Sequence, residues 1–165
     1  MLQDVTRPIL VDKGRQMRAT WTILLYADWE CRFVRARRWL FSKLTEDEAI
    51  EILDDKPRHV DSQLPSWVRA AHRAKDTPRV RQSYLATGSY ILAVPQNVAE
   101  RACRGGTASG VIVDEAARQS MFGKIWVASQ PMTARIIAPT TAEIGNPGAR
   151  FFKSLIDDKQ DEAVL

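Results

Sequence analysis

Short runs of β-branched and other apolar residues alternate with helical patterns along the chain. The runs predict strands at residues 8–11, 38–42, 83–87, 90–94, 111–113 and 135–138. Helical spacing and a capping box predict helices at 19–29, from Thr45 onward, and at 66–71, 116–128 and 151–156. Strands that alternate with helices form a mostly parallel sheet with helices on both faces. With 165 residues, the chain is suited to one such α/β domain, in which Gly88-Ser89 predicts a two-residue hairpin turn.

Composition excludes some classes of protein. No apolar run is long enough to span a bilayer, and the first residues do not resemble a secretory signal, so we expect no membrane association. Cys31 and Cys103 form no metal-type pair, which favours reduced thiols in the cytoplasm. The chain has 24 Lys and Arg against 20 Asp and Glu, and its net charge of +4 is compatible with a phosphate-bearing partner without proving one.

Polar segments follow three of the predicted strands, at 12–20, 114–115 and 139–146. Because ligands bind at the carboxyl ends of strands in parallel sheets, we expect these segments to converge. Asp114 and Glu115 are suited to a divalent cation, with Asp114 beside the metal and Glu115 as the base that activates water. A helix cap at Asp114, with Glu115 at the positive end of the helix, explains the pair equally well.

The segment 12–20 contains some of the groups that a phosphate-binding loop needs. Lys13 supplies a cation, Gly14 a small residue and Thr20 a hydroxyl. The spacing of the common glycine-rich loop is not met, because Arg18 and Ala19 stand at the positions of its last glycine and its lysine. From these residues alone, a basic turn between a strand and a helix is the simpler interpretation, with phosphate binding as the alternative.

Several motifs in residues 7–157 together resemble the ATPase region of the phage large terminase subunit, the motor that packages double-stranded viral DNA. KGRQMRATW resembles its variant phosphate-binding loop, and RRWLFSKLTEDEA its next strand and acidic helix start. GSYILAVPQN and RGGTASGVIVDEAA resemble its Gly-Ser hairpin and its Walker B segment, and APTTAEIGNPGARFF is similar to its coupling motif. The resemblance implies a three-layer P-loop NTPase fold of the RecA/ASCE-like type, incomplete at the N-terminus.

The resemblance also implies roles for individual residues. A lysine at the front of the loop, Lys13, would reach the β- and γ-phosphates of ATP, with Gly14 and Gln16 in the same loop. Thr20 and Asp114 would hold Mg²⁺, and Glu115 would be the hydrolytic base. The remaining assignments are Arg15 as an arginine finger acting in the same subunit, Arg104 as one reaching a neighbouring subunit's nucleotide, and Thr140 and Thr141 as the link between nucleotide state and DNA movement.

The partners implied in this way are double-stranded DNA, a small terminase subunit, a portal protein and further copies of the chain in a ring, in the cytoplasm of a bacterial host. Residues 1–165 are then a single, partial ATPase domain without the family's C-terminal nuclease domain, so we predict no DNA cleavage. Arg18 departs from the family's glycine. The alternative is therefore a non-catalytic, truncated prophage remnant that keeps the fold and binds DNA or terminase partners. The motor interpretation requires Lys13 to face Asp114 and Glu115 across a pocket sized for triphosphate.

Overall fold

A computed structural model describes residues 7–14, 17–75, 78–141 and 143–162. The strands are β1 (Ile9–Asp12), β2 (Arg38–Lys43), β3 (Ala74–Lys75), β4 (Arg81–Tyr84), β5 (Ser89–Pro95), β6 (Gly110–Val113) and β7 (Ile136–Thr140). The helices are α1 (Ala19–Phe33), α2 (Glu46–Leu53), α3 (His59–Gln63), α4 (Ser66–Ala71), α5 (Gln96–Cys103), α6 (Phe122–Ser129) and α7 (Pro147–Glu162). A π-helical segment, Asp54–Arg58, and a 3-10 turn, Ala116–Arg118, complete the described elements.

The strands of the described residues form one sheet in the order β1-β7-β6-β2-β5-β4-β3. The first five of these are parallel to one another, whereas β4 runs antiparallel to β5 and β3 antiparallel to β4. The carboxyl ends of β1, β7, β6 and β2 therefore lie side by side along one edge of the sheet. The predicted α/β architecture with a mostly parallel sheet is confirmed.

Side chains of the central strands alternate between two apolar cores. In β6, Ile112 packs with residues of α1 and α2, whereas Val111 and Val113 pack with residues of α5, α6 and α7. All residues of β6 and β7 are buried, as expected for parallel strands covered on both faces. The sheet and the helices on its two faces form three layers, and this arrangement follows from the alternation of side chains along each strand. Within the described residues, every helix is too short or too polar to cross a bilayer.

Three local expectations need correction. The helix predicted over 116–128 is broken into the 3-10 turn and α6, because the side chain of Gln119 turns inward and bonds to the ends of two strands. The predicted two-residue hairpin turn is wrong, since Ser89 already pairs with Tyr84 and residues 85–88 form the connection. The closing helix is longer than 151–156 and spans Pro147–Glu162. The predicted capping box is confirmed by the Thr45 hydroxyl, which accepts from the backbone N–H of Glu48 at 3.3 Å.

Candidate functional site

The polar segments predicted to converge do so at the carboxyl edge of the sheet. Lys13 follows β1, the acidic pair follows β6, and Thr140 ends β7, which lies between these two strands. The backbone N–H of Lys13 donates to the carbonyl of Thr140 at 2.9 Å, so the start of the loop is fixed to β7. The order of the strands therefore brings a lysine, a helix start and two carboxylates together.

Asp114 is buried, with a relative exposure of 3%, and both of its carboxylate oxygens have partners. The Thr20 hydroxyl donates to Oδ1 at 2.7 Å. The ammonium of Lys43, at the end of β2, donates to Oδ2 at 2.9 Å. Asp114 therefore contacts the Thr20 hydroxyl, which the family resemblance places at the same metal site, and also a lysine that sequence reasoning missed. The capping interpretation of Asp114 is not favoured, because its carboxylate bonds to these side chains.

Glu115 lies beside Asp114 and binds two residues from neighbouring strands. Lys13 Nζ donates to its Oε1 at 2.8 Å, and the Thr141 hydroxyl and backbone N–H donate to its Oε2 at 2.9 and 3.3 Å. Burial acts to raise the pKa of Glu115, but the hydrogen bonds from Lys13 and Thr141 outweigh it, so its pKa lies below the ordinary value. Glu115 is therefore held as a carboxylate, the form that a general base requires.

Two residues of the site have backbone φ angles in the left-handed region. Glu115 has a φ of 49°, and Arg18, which precedes α1, has a φ of 50°. Residues other than glycine adopt this region at a cost, and such residues concentrate at functional sites. At position 18, the bulky arginine thus takes a conformation that glycine adopts readily.

Thr140 and Gln119 stabilise the turn that follows Glu115. The buried Thr140 hydroxyl accepts the backbone N–H of Ala117 at 3.1 Å and so supports the turn that follows Glu115. Gln119 Nε2 donates to the carbonyls of Asp114 and Ser42, at 2.7 and 3.1 Å, and its Oε1 accepts the Ser42 hydroxyl at 2.8 Å. Gln119 thereby ties the ends of β6 and β2 together. In the sequence it had no distinguishing signal, because a glutamine within a helical pattern is usually solvated.

The remaining predicted site residues are distributed differently. Gly14 is exposed in the loop after β1. Arg15 and Gln16 lie outside the described residues. Arg104 is not part of this cluster: α5 runs from the carboxyl end of β5 back toward the amino end of β6, and Arg104 ends it at the opposite edge of the sheet. There its side chain is 70% exposed and pairs with Glu100.

A small cavity adjoins the carboxylates. It has a volume of about 50 Å³ and is lined by Lys43, Leu44, Glu48, Asp114, Glu115 and Arg118. This volume holds a few water molecules at most. Lys13 contacts Glu115 directly, and residues 15 and 16 of the adjoining loop lie outside the described residues, so the expected triphosphate pocket stays a prediction. The amine of Lys13 and the carboxylates do converge, as the motor interpretation requires.

The donor set fits Mg²⁺. A carboxylate and a hydroxyl, Asp114 and Thr20, provide the hard oxygen ligands that this ion prefers. The described residues contain no group of three or more His, Cys, Asp or Glu side chains that could form an all-protein metal site. Mg²⁺ commonly keeps waters and uses one or two carboxylates together with substrate phosphates, so it does not require an all-protein set of ligands.

Comparison of the sequence with known protein families and with curated proteins gave no match. Solved structures do match the fold. The large terminase ATPase domain of Thermus phage P74-26 has a TM-score of 0.67 at 20% identity, over 91% of this chain and 63% of that chain. The large terminase of bacteriophage HK97 has a TM-score of 0.68 at 13% identity, over 93% of this chain and 33% of that chain.

The large terminase of a thermophilic bacteriophage matches with a TM-score of 0.63 at 17% identity, over 98% of this chain and 39% of that chain. Its ADP complex matches with a TM-score of 0.51 at 15% identity, over 85% and 34%. The chain thus spans less than two thirds of the length of these proteins. At these identities the likeness establishes the fold, which is that of phage large terminase ATPase domains. The predicted resemblance is confirmed at this level.

Proposed function

We propose that this chain is an ATP-binding and ATP-hydrolysing motor domain of the phage large terminase type, which acts on double-stranded DNA. The observation that carries the proposal is the convergence of Lys13, Thr20, Asp114 and Glu115 at one edge of the sheet. These are the groups that phosphoryl transfer to water requires: a cation for the phosphates, two metal ligands and a base.

In this proposal each side chain has one task. Thr20 and Asp114 would hold Mg²⁺, which would neutralise charge on the phosphates. Lys13 leaves Glu115 for the β- and γ-phosphates, and the freed carboxylate of Glu115 orients the attacking water and accepts its proton. Gly14, Arg15 and Gln16 belong to the same phosphate loop, with Arg15 acting on the γ-phosphate.

Thr140 and Thr141 link the site to the rest of the domain. Thr141 binds Glu115, and Thr140 supports the turn against which α7 packs. A change in the partner of Glu115 would therefore alter contacts of β7 and α7. This supports the proposed role of Thr140 and Thr141 in coupling nucleotide state to DNA movement. Arg104 is exposed at the far edge, and this exposure supports its proposed role at the nucleotide of an adjacent subunit in a ring.

The setting of this proposal is a packaging motor in the cytoplasm of a bacterial host, with a small terminase subunit and a portal protein as further partners. The ADP complex of the thermophilic phage terminase, which has a similar fold, supports nucleotide binding in this proposal. A second candidate is a non-catalytic domain that keeps the fold and binds DNA or terminase partners. Arg18 in the phosphate loop and the direct Lys13–Glu115 contact favour this alternative.

Glu115→Gln separates the two candidates. Removing a general base typically lowers a rate by about 10²–10⁴-fold. We expect ATP hydrolysis by the unchanged chain and a loss of this order in the variant, with ATP binding retained. Binding is measured through intrinsic tryptophan fluorescence, to which Trp21, the residue after Thr20 in α1, contributes. The matched control is Glu46→Gln, which changes an exposed glutamate in the first turn of α2.

Two results contradict the motor proposal. The first is that the unchanged chain binds Mg-ATP but hydrolyses none of it. The second is that Mg-ATP changes neither the tryptophan fluorescence nor the midpoint of thermal unfolding, which a ligand of the folded state must raise. Either result favours the non-catalytic alternative.

A further inference from the structure

Lys43 is a second lysine at the acidic pair, and the proposed ATPase chemistry gives it no task. It is the last residue of β2, which lies next to β6 in the sheet. Its Nζ atom lies 2.9 Å from Asp114 Oδ2, and the two side chains are 16% and 4% exposed. A cation of the protein therefore contacts the carboxylate that we assign to Mg²⁺.

The position of this ion pair is fixed by the backbone. The N–H of Asp114 donates to the carbonyl of Ser42 at 3.1 Å, and Gln119 bonds to the carbonyls of both residues. Lys43 and Asp114 thus start from strand ends that cannot separate easily. An ion pair on such supports loses less side-chain entropy than a pair of long surface side chains.

Both oxygens of the Asp114 carboxylate already have a partner. Thr20 occupies Oδ1 and Lys43 occupies Oδ2. A divalent cation at Asp114 would lie within a few ångströms of the ammonium, and two like charges at that distance repel strongly in a partly buried site. The metal and the ammonium therefore compete for one carboxylate.

A displaced ammonium also needs a new partner. Lys56 carries a like charge nearby: burial lowers its pKa, and the charge of Lys43 lowers it further. Glu115 is engaged by Lys13 and Thr141. Glu48 lines the same small cavity and offers one carboxylate. A polyphosphate carries more negative charge than Glu48 and can accept several lysines at once.

We propose that Lys43 is a positioning residue that competes with the divalent cation for Asp114, and so makes metal binding depend on bound polyphosphate. The inference rests on the proposed function for the identity of the polyphosphate. Without nucleotide, the ammonium holds the carboxylate in place and keeps free metal out. With nucleotide, the phosphates accept the ammonium and Asp114 becomes available.

The test measures metal binding directly, in the absence of nucleotide. Mn²⁺ serves as the probe, and the electron paramagnetic resonance signal of free Mn²⁺ gives the affinity of the full chain. Lys43→Gln keeps a hydrogen-bond donor toward Asp114 but removes the charge. We expect it to bind Mn²⁺ about tenfold or more tightly than the unchanged chain. In the unchanged chain the metal must first break a partly buried ion pair, and the free energy of this loss exceeds that of a tenfold change in affinity.

Three controls separate charge from structure. Lys43→Arg keeps the cation and is expected to bind Mn²⁺ as weakly as the unchanged chain. Lys124→Gln removes an exposed lysine on α6 and is expected to have no effect. Adding Asp114→Asn to Lys43→Gln must abolish the gain, because the metal then lacks its carboxylate. Thermal unfolding of each variant establishes that it is folded.

The outcomes also distinguish this inference from the proposed function. Equal Mn²⁺ affinity of a folded Lys43→Gln variant and the unchanged chain overturns the inference, even when ATP is hydrolysed. Tighter Mn²⁺ binding that disappears with Asp114→Asn supports it, even when the ATPase assay is negative. A non-hydrolysable ATP analogue should then raise the Mn²⁺ affinity of the unchanged chain by a larger factor than that of the variant, as linkage between the two sites requires.

Discussion

Gly148 occupies a position where the fold has no room for a side chain. It lies in the first turn of α7 and packs against the turn that follows Glu115. A Cβ atom at this position would lie 2.3 Å from the carbonyl oxygen of Gln119, and 2.9 Å from those of Ala116 and Ala117. Ordinary contact begins at 3.4 Å, so Gly148→Ala requires a local opening of about 1.1 Å, the difference between 3.4 and 2.3 Å.

The obstructing atoms belong to the backbone, which cannot rotate away as a side chain can. Overpacking of this kind costs about 1–3 kcal/mol. We expect the free energy of unfolding of Gly148→Ala, measured by urea denaturation, to fall by about 2–3 kcal/mol, the upper part of this range. Since the displaced turn carries the acidic pair, an active ATPase is also expected to lose about 10²-fold in rate, as for other displacements of about 1 Å.

Gly123→Ala is the matched control, because it makes the same chemical change on α6. Its Cβ would lie 3.4 Å from the ring of Phe151, which is ordinary contact. Alanine is the better helix former, so stability should stay the same or rise by up to about 1 kcal/mol. The reasoning is refuted when Gly148→Ala and Gly123→Ala unfold with the same free energy, because the close approach of α7 to the turn then has no energetic consequence.

Two further predictions concern strain and charge at the site. The free energy of unfolding of Arg18→Gly should exceed that of Arg18→Ala by about 1 kcal/mol, since only glycine adopts the left-handed backbone there without strain. Urea denaturation of both variants tests this. An alanine variant of equal or greater stability contradicts it. The pKa of Glu115 lies below its ordinary value of 4.5, so its contribution to stability is present above pH 4.5 and is lost as the pH falls through the folded-state pKa. The free energy of unfolding should therefore decrease more steeply toward acidic pH in the unchanged chain than in Glu115→Gln, and parallel pH profiles of the two proteins would count against the ion pair with Lys13.

Much of the fold was accessible from the sequence, because strands and helices leave local patterns. The apolar run before Asp114 identified a buried strand, and the sequence from Thr45 to Glu48 identified a helix start that the structure confirms. The alternation of these elements implied parallel strands, and parallel strands implied that Lys13 and the acidic pair end at one edge. Each strand and helix was identified from residues that are near one another in the chain.

The same local patterns gave a wrong result where a distant contact dominates. The helical pattern of 116–128 is interrupted because Gln119 bonds to Ser42, which lies 77 residues away. Propensities of a few tenths of a kcal/mol per residue are outweighed by several buried hydrogen bonds of about 1 kcal/mol each. Nothing near Gln119 in the sequence signals this competition.

The sequence by itself determined which residue types stand at the ends of the strands, and hence the class of chemistry that the edge can support. Only the tertiary structure decided their partners. Lys43 meets Asp114 across 71 residues because β2 lies beside β6, and Arg104 lies far from them because α5 returns along the sheet. Strand order depends on how whole helices and strands pack together, and the periodicity of a single segment contains no information about it.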